Sequence, residues 1–137
     1  MQAAQAALFF TVAMLMVTGY FLLGSVPLLT LKHDNPVDAR FIRSFYVTYY
    51  RFALVASAGA TLSFAWAGRW GFALGAGAIV LITLALRQRL LPQMAELGAR
   101  MATHGPQAIG QFRRIHTTAI VINATQLAAI LGGLTVF

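Results

Sequence analysis

The sequence contains no cysteine and very little charge. Its 137 residues include three acidic and ten basic side chains, and only 9% of the chain is charged. Without thiols, disulfides, thiolate catalysis and cysteine-ligated zinc or iron–sulfur centres are excluded. Because the chain has only three carboxylates, acid–base catalysis by a pair of carboxylic acids is not expected. Hydrophobic residues make up 59% of the chain, which indicates an integral membrane protein rather than a soluble domain.

Four long apolar stretches are separated by three connections that differ in charge. The second connection carries a single charged residue, Arg69, whereas the others fall in or beside the first and third connections. The positive-inside rule places those two connections in the cytoplasm. We therefore predict a multi-pass protein of a bacterial inner membrane with both termini periplasmic. The net charge of +7 is explained by this orientation and by anionic headgroups, without a nucleic acid partner.

The predicted fold is all-α, a single domain of four transmembrane helices with up-down topology. The spans cover about residues 4–31, 45–67, 70–91 and 115–137, since about 20 apolar residues suffice to cross a bilayer. The first stretch is too long, and too poor in basic residues, for a signal peptide, and we interpret it as a retained helix. Apolar residues at helical spacing continue past the membrane in helices 2–4 and predict an amphipathic cytoplasmic tier. Pro92 is expected to kink helix 3 as a hinge.

The arginines give an estimate of depth. Arg51 and Arg87 each lie 18 positions from Arg69, which is about 27 Å of helix and close to one hydrocarbon thickness. Both are therefore predicted at the cytoplasmic interface, and His116 is expected near the same depth. Tyrosines of helix 2 are expected to form an aromatic belt at this level, namely Tyr46, Tyr49 and Tyr50.

Helix 4 has the most unusual polar pattern. His116 and Asn123 are seven residues apart on one face, and Gln126 follows one turn later. An amide inside a membrane needs a partner, so hydrogen bonds between helices are the favoured interpretation for both amides, with a ligand or oligomer contact as the alternative. The expected partners on other helices are Ser57, Thr61 and Thr18.

A ligand-binding interpretation of the same residues stays open. A quinone-like headgroup would meet His116 as acid or base, Arg51 as a clamp and Asn123 as an orienting amide, with Tyr50 nearby. This pocket would lie between helices 2, 3 and 4, with Asn123 as its floor and Pro92 as its hinge. The simpler interpretation of His116 is an interfacial histidine that bonds a loop carbonyl or a lipid phosphate. The cofactor is unknown and could be a quinone, a pigment or a lipid; the histidine spacing predicts no metal site.

Two segments carry a family resemblance. Residues 87–94 read R-x-x-L-x-P-x-M, and residues 112–123 read F-x-x-I-H-x-x-A-x-x-x-N. Together they resemble a widespread family of four-helix integral membrane proteins of unknown function, distantly similar to copper-resistance D-type and anthrone-oxygenase-like membrane proteins. The resemblance implies a four-helix fold, little about activity, and a shared importance of Pro92, His116 and Asn123. Helix 1 lacks the Trp-Leu-Gly opening of that family.

The function expected from the sequence is non-catalytic. The sequence shows no recognisable set of catalytic residues, and its helices carry faces of small residues and an apolar cytoplasmic tier. These features favour a small accessory or assembly subunit that packs against a larger membrane complex of respiratory or photosynthetic type. Its partners would be the lipid bilayer and other integral membrane subunits. The alternatives are an enzyme or binding protein for a quinone-like ligand at the cytoplasmic leaflet, and metal handling.

Overall fold

The computed structural model describes residues 2–30, 36–101, 103 and 105–137. Four helices account for most of them, which confirms the all-α, four-helix prediction: α1 Ala3–Leu28, α2 Pro36–Trp66, α3 Trp70–Arg100 and α4 Gly105–Thr135. α3 runs through Pro92 as one helix, and Pro92 is exposed on its surface. Three polar residues that could in principle bind a metal lie outside the described residues, namely His33, Asp34 and His104.

Three of the four helices are long and apolar enough to cross a membrane: α1, α3 and α4. α2 does not meet the same criterion, although the sequence predicted a span there. The difference has a simple cause, since the predicted span of α2 carries a run of tyrosines and an arginine, followed by several hydroxyl side chains. As the packing shows, much of this polarity is turned inward.

The helices form a four-membered ring in which each helix packs against the next. α2 lies between α1 and α3, and α4 closes the ring against α1 and α3. Within the described residues the backbones of α2 and α4 do not approach each other, so these two helices are diagonal. α1 and α2 pack along their full length, because the Phe45 ring lies against Gly24 and the Phe10 ring lies against Gly59 near the other end.

The turn between α2 and α3 is a Schellman motif. The Gly68 amide donates to the Ala65 carbonyl at 3.0 Å and the Arg69 amide donates to the Phe64 carbonyl at 2.9 Å. The motif needs a left-handed residue after the helix, and Gly68 has a φ of 71°, which a glycine adopts without steric cost. The turn therefore aims the Arg69 side chain at the end of α4, where its guanidinium donates to the Phe137 carbonyl at 2.7 Å.

The core differs between the two halves of the bundle. We call the end with the α1–α2 and α3–α4 connections the charged end, and the end with the Gly68–Arg69 turn the opposite end. The charged half is packed with large side chains, including Phe21, Ile42, Tyr46 and Phe112. The opposite half is lined mainly by small ones, including Ala56, Ala60, Ala73 and Ala76. Small residues allow helices to approach closely.

The glycines in the first turns of α3 divide into two groups. Gly77 lies beside the Thr61 methyl group at 3.7 Å from an added Cβ, so this position does contact α2. Gly71 and Gly75 have open space where a side chain would project. They line a groove on the other side of α3, described below, rather than a helix contact.

Candidate functional site

His116 lies at the centre of a hydrogen-bonded cluster in the charged half. Its side chain is fully buried, and its Nε2 lies 3.1 Å from the Ser25 hydroxyl of α1. The Ser25 hydroxyl in turn lies 3.3 Å from the Tyr46 hydroxyl of α2. The Tyr46 hydroxyl donates to the His116 carbonyl at 3.3 Å. This cluster, His116 with Ser25 and Tyr46, joins α1, α2 and α4. Because the His116 side chain is buried among these helices, the structure argues against the predicted contact of His116 with a lipid phosphate.

Asn123 forms a second cross-bundle contact. Its Nδ2 donates to the Tyr49 hydroxyl at 2.7 Å, and the Tyr49 ring stacks on Phe21 with centroids 4.0 Å apart. An interhelical bond was predicted, but with other partners on α2. The hydroxyls of Ser57 and Thr61 instead donate to carbonyls of their own helix, at 2.6 and 2.8 Å. The diagonal helices α2 and α4 are thus connected by tyrosine side chains long enough to reach across the ring.

The predicted aromatic belt on α2 is wrong. Tyr46, Tyr49 and Tyr50 are 0%, 8% and 1% exposed, so they belong to the bundle interior. The signal was present in the sequence, because these tyrosines continue a helical stripe of buried positions that begins at Ala39 and Ile42. Ser25, Tyr46 and Tyr49 are the site residues that the sequence did not identify.

The remaining candidates are not brought to one place. Tyr50 is buried beside the Tyr46 and Tyr49 rings, with centroids 5.9 and 5.2 Å away. Arg51 is exposed on the surface of α2, whereas His116 is enclosed. Gln126 lies in the opposite half and lines a groove there. The five candidates therefore fall into an interior group, one surface arginine and one groove amide.

The packing register fixes the relative depth of these groups. Contacts of Ala39 with Gly98 and of Thr61 with Gly77 place Arg51 level with Arg87, as the sequence predicted. Tyr49, which is two residues before Arg51, bonds Asn123. Asn123 is therefore level with the two arginines, and His116 lies seven residues, or about 10 Å, nearer the charged end. His116 is therefore not level with the two arginines, as was expected, but nearer the charged end.

Two apolar grooves on the surface of the described residues have the size of ligand sites. The α1–α2 groove, of about 650 Å³, is lined by Met16, Val17, Tyr20, Phe41, Ser44, Phe45, Thr48, Tyr49 and Phe52. The α3–α4 groove, of about 350 Å³, lies in the opposite half and reaches inward to Thr11, Met14 and Gln126. Neither groove is lined by His116 or Asn123, so neither coincides with the pocket predicted between helices 2, 3 and 4.

No family model, curated protein or solved structure matches the chain. The resemblance to four-helix membrane proteins of unknown function thus stays a prediction. Within the described residues, no three histidine or acidic side chains come together as a metal site. What the geometry shows is a closed polar interior in the charged half and two open apolar grooves.

Proposed function

We propose that the chain is a small integral membrane subunit that packs against a larger membrane complex. Its membrane location is supported by three apolar helices of sufficient length. α2 packs lengthwise between α1 and α3, so it would cross with them. Trp66 and Trp70 are both exposed at the opposite end, as interfacial anchors are. The proposed setting is a bacterial inner membrane, with the charged end cytoplasmic and both termini periplasmic.

The observation that carries this proposal is the exposure of Phe41. Its ring is 60% exposed, although it lies ten residues before Arg51 on α2. Ten residues of helix correspond to about 15 Å. If Arg51 marks the edge of the hydrocarbon, Phe41 lies beyond the headgroup layer, which is roughly 5–8 Å thick on each side. Lipid can cover an apolar surface inside the bilayer but not at this height.

Phe41 is the outer end of a continuous apolar surface. It lines the α1–α2 groove together with Tyr20, Phe45 and Phe52, and Phe52 follows Arg51 directly. The groove therefore runs from the hydrocarbon edge out to the cytoplasmic tier. A helix of another membrane subunit that continues past the bilayer has the shape and polarity to fill it. Exposed apolar patches of this kind mark interaction sites. Respiratory and photosynthetic complexes are the proposed hosts.

The enclosed His116 cluster supports a structural rather than catalytic role for the polar interior. An acid or base must reach a substrate within hydrogen-bonding distance, and the side chain of His116 is 0% exposed. Its Nε2 is engaged with Ser25 on a neighbouring helix. A quinone at this position would have to displace that contact.

Photo-crosslinking tests the proposal in native membranes. A benzophenone amino acid placed at Phe41 is expected to give one discrete adduct with a partner subunit, because the ring faces the α1–α2 groove. The matched control is the same amino acid at Gln107, which is exposed on the charged part of α4 and does not line that groove. The proposal would be contradicted if both positions gave the same products and the tagged chain purified as a lone 14.8 kDa monomer.

A further inference from the structure

A cleft between α2 and α3 at the charged end has a cationic wall and a floor of small residues. We call it the α2–α3 cleft, and its volume is about 290 Å³. The wall consists of Arg40 and Arg43 of α2, and the small residues of the floor are Ala39, Ala95, Gly98 and Ala99. The two helices are close here, because a Cβ added at Gly98 would lie 3.4 Å from the Ala39 Cβ. The small side chains thus leave a recess beside the two arginines.

Arg43 is held in a fixed position at this cleft. Among the described arginines, Arg43 and Arg69 are partly buried and the others are exposed. The Nε of Arg43 donates to the Leu91 carbonyl of α3 at 3.3 Å, so one nitrogen of the guanidinium is anchored to the neighbouring helix. Within the described residues, its two terminal nitrogens have no hydrogen-bond partner. A planar guanidinium anchored in this way is pre-organised to bind a further acceptor.

The positive charge of the cleft is not neutralised by the described part of the chain. No acidic side chain lines the cleft, and the ion pair on the adjoining part of α3 joins Glu96 to Arg100 at 2.6 Å. Arg40 and Arg43 are three residues apart on α2, so they are neighbours on one helix face, where like charges are destabilising. Arginines that are partly buried usually have an anionic partner. The pair therefore favours an anion that binds from outside.

The chemistry and the level of the two arginines select the anion. A guanidinium binds two oxygens of a phosphate through parallel N–H bonds, and two guanidiniums on adjacent turns can share one phosphate group. Arg43 lies eight residues before Arg51, which is about 12 Å farther along the helix. At this level a flexible arginine side chain can reach the lipid headgroups on one side and the solution on the other.

We propose that the α2–α3 cleft binds a phosphate group between the guanidiniums of Arg40 and Arg43. The phosphate belongs to a lipid headgroup or to a small dissolved phosphate compound, since the two present the same oxygens to the arginines. None of the residues that line this cleft lines the α1–α2 groove. The site is therefore separate from that groove and does not depend on the proposed role as a subunit.

Titration of the purified full chain with inorganic phosphate tests the proposal. The chain is placed in nanodiscs of zwitterionic phosphatidylcholine, and binding is followed by isothermal titration calorimetry at constant ionic strength. Saturable binding is expected, and Arg40→Gln or Arg43→Gln should weaken it at least about tenfold, because each removes charge-assisted hydrogen bonds. Arg43→Lys keeps the charge but loses the planar fork, so its affinity should be intermediate. Arg40 is exposed, so Arg40→Gln should melt like the parent.

The matched control is Arg89→Gln, which removes the same charge from an exposed position of α3 outside the cleft. It is expected to leave phosphate binding unchanged. Ala99→Leu fills the exposed floor of the cleft and is expected to abolish binding.

Nanodiscs that contain phosphatidylglycerol distinguish the two sources of phosphate. If a lipid headgroup fills the cleft, this lipid displaces inorganic phosphate, and native mass spectrometry shows that the parent retains it more strongly than Arg40→Gln does. If a dissolved compound fills the cleft, inorganic phosphate still binds in the same membranes. The proposal would be overturned if neither phosphate nor the lipid bound saturably, as expected if a carboxylate of the chain itself filled the cleft. An equal loss of binding in Arg89→Gln and Arg40→Gln would also overturn it.

Discussion

His116→Ala is expected to lower the free energy of unfolding by about 2–3 kcal/mol. The substitution removes a fully buried ring and the contact between Nε2 and the Ser25 hydroxyl. It also removes the edge-to-face contact with the Tyr46 ring, whose centroid lies 5.6 Å away. The cavity left by the ring would lie between α1, α2 and α4. The contacts of α4 with α1 and with the tyrosine side chains of α2 would therefore weaken together. Thermal unfolding in detergent, followed by circular dichroism, measures the effect.

The matched control for His116 is its neighbour on α4. Thr117 is exposed and its hydroxyl donates to the Arg113 carbonyl of the same helix at 2.9 Å. Thr117→Ala is therefore expected to change the stability by only a few tenths of a kcal/mol. If His116→Ala melted like Thr117→Ala, the cluster of His116, Ser25 and Tyr46 would not be a structural element of the bundle.

Gly59→Ala is expected to destabilise the bundle by about 2 kcal/mol, within the usual cost of overpacking a tight core. An added Cβ would meet the inner atoms of the Phe10 ring, including its Cγ. A ring contacted near its attachment point cannot swing away without moving α1, so the α1–α2 contact must open. The expected result is a lower melting temperature.

Two further variants test the steric explanation for Gly59. Gly19 also lies in a helix that packs on α2, but its added Cβ would meet nothing within 4 Å. Gly19→Ala should therefore be neutral or slightly stabilising, since alanine is the better helix former. Phe10→Leu should recover part of the stability lost in Gly59→Ala. An equal loss in Gly19→Ala would show that the cost comes from the backbone rather than from Phe10.

The helices were predictable from the sequence because hydropathy and capping are local properties. The α2–α3 turn at Gly68 and the level shared by Arg51 and Arg87 follow from chain geometry alone, and both agree with the structure. The tyrosines of α2 were misassigned because tyrosine suits both a membrane interface and a buried hydrogen bond. Only the helical stripe with Ala39 and Ile42 distinguishes the two environments.

The partners of the polar residues could not be predicted, because they depend on which helices lie diagonally. Ser57 and Thr61 of α2 were expected as partners of Asn123, but Asn123 bonds Tyr49 and lies level with Arg51, which is six and ten residues before them. The ring arrangement separates the backbones of α2 and α4, so only a side chain as long as Tyr49 spans the gap. The surroundings of Gln126 could not be predicted either. Gln126 lines a groove because the facing residues of α3 are small, and the sequence of α4 alone does not reveal this.

Single-cysteine labelling tests the central claim, that a partner covers the α1–α2 groove beyond the bilayer. The chain has no cysteine, so Ser44→Cys in the groove and Thr117→Cys on exposed α4 each give one thiol at a similar level. The reagent is a membrane-impermeant maleimide, which in inverted vesicles reaches only the cytoplasmic side. In the purified chain both thiols are expected to react with it. In native inverted vesicles Cys at position 117 should still react while Cys at position 44 is protected. Equal labelling of the two positions in native membranes would contradict the account.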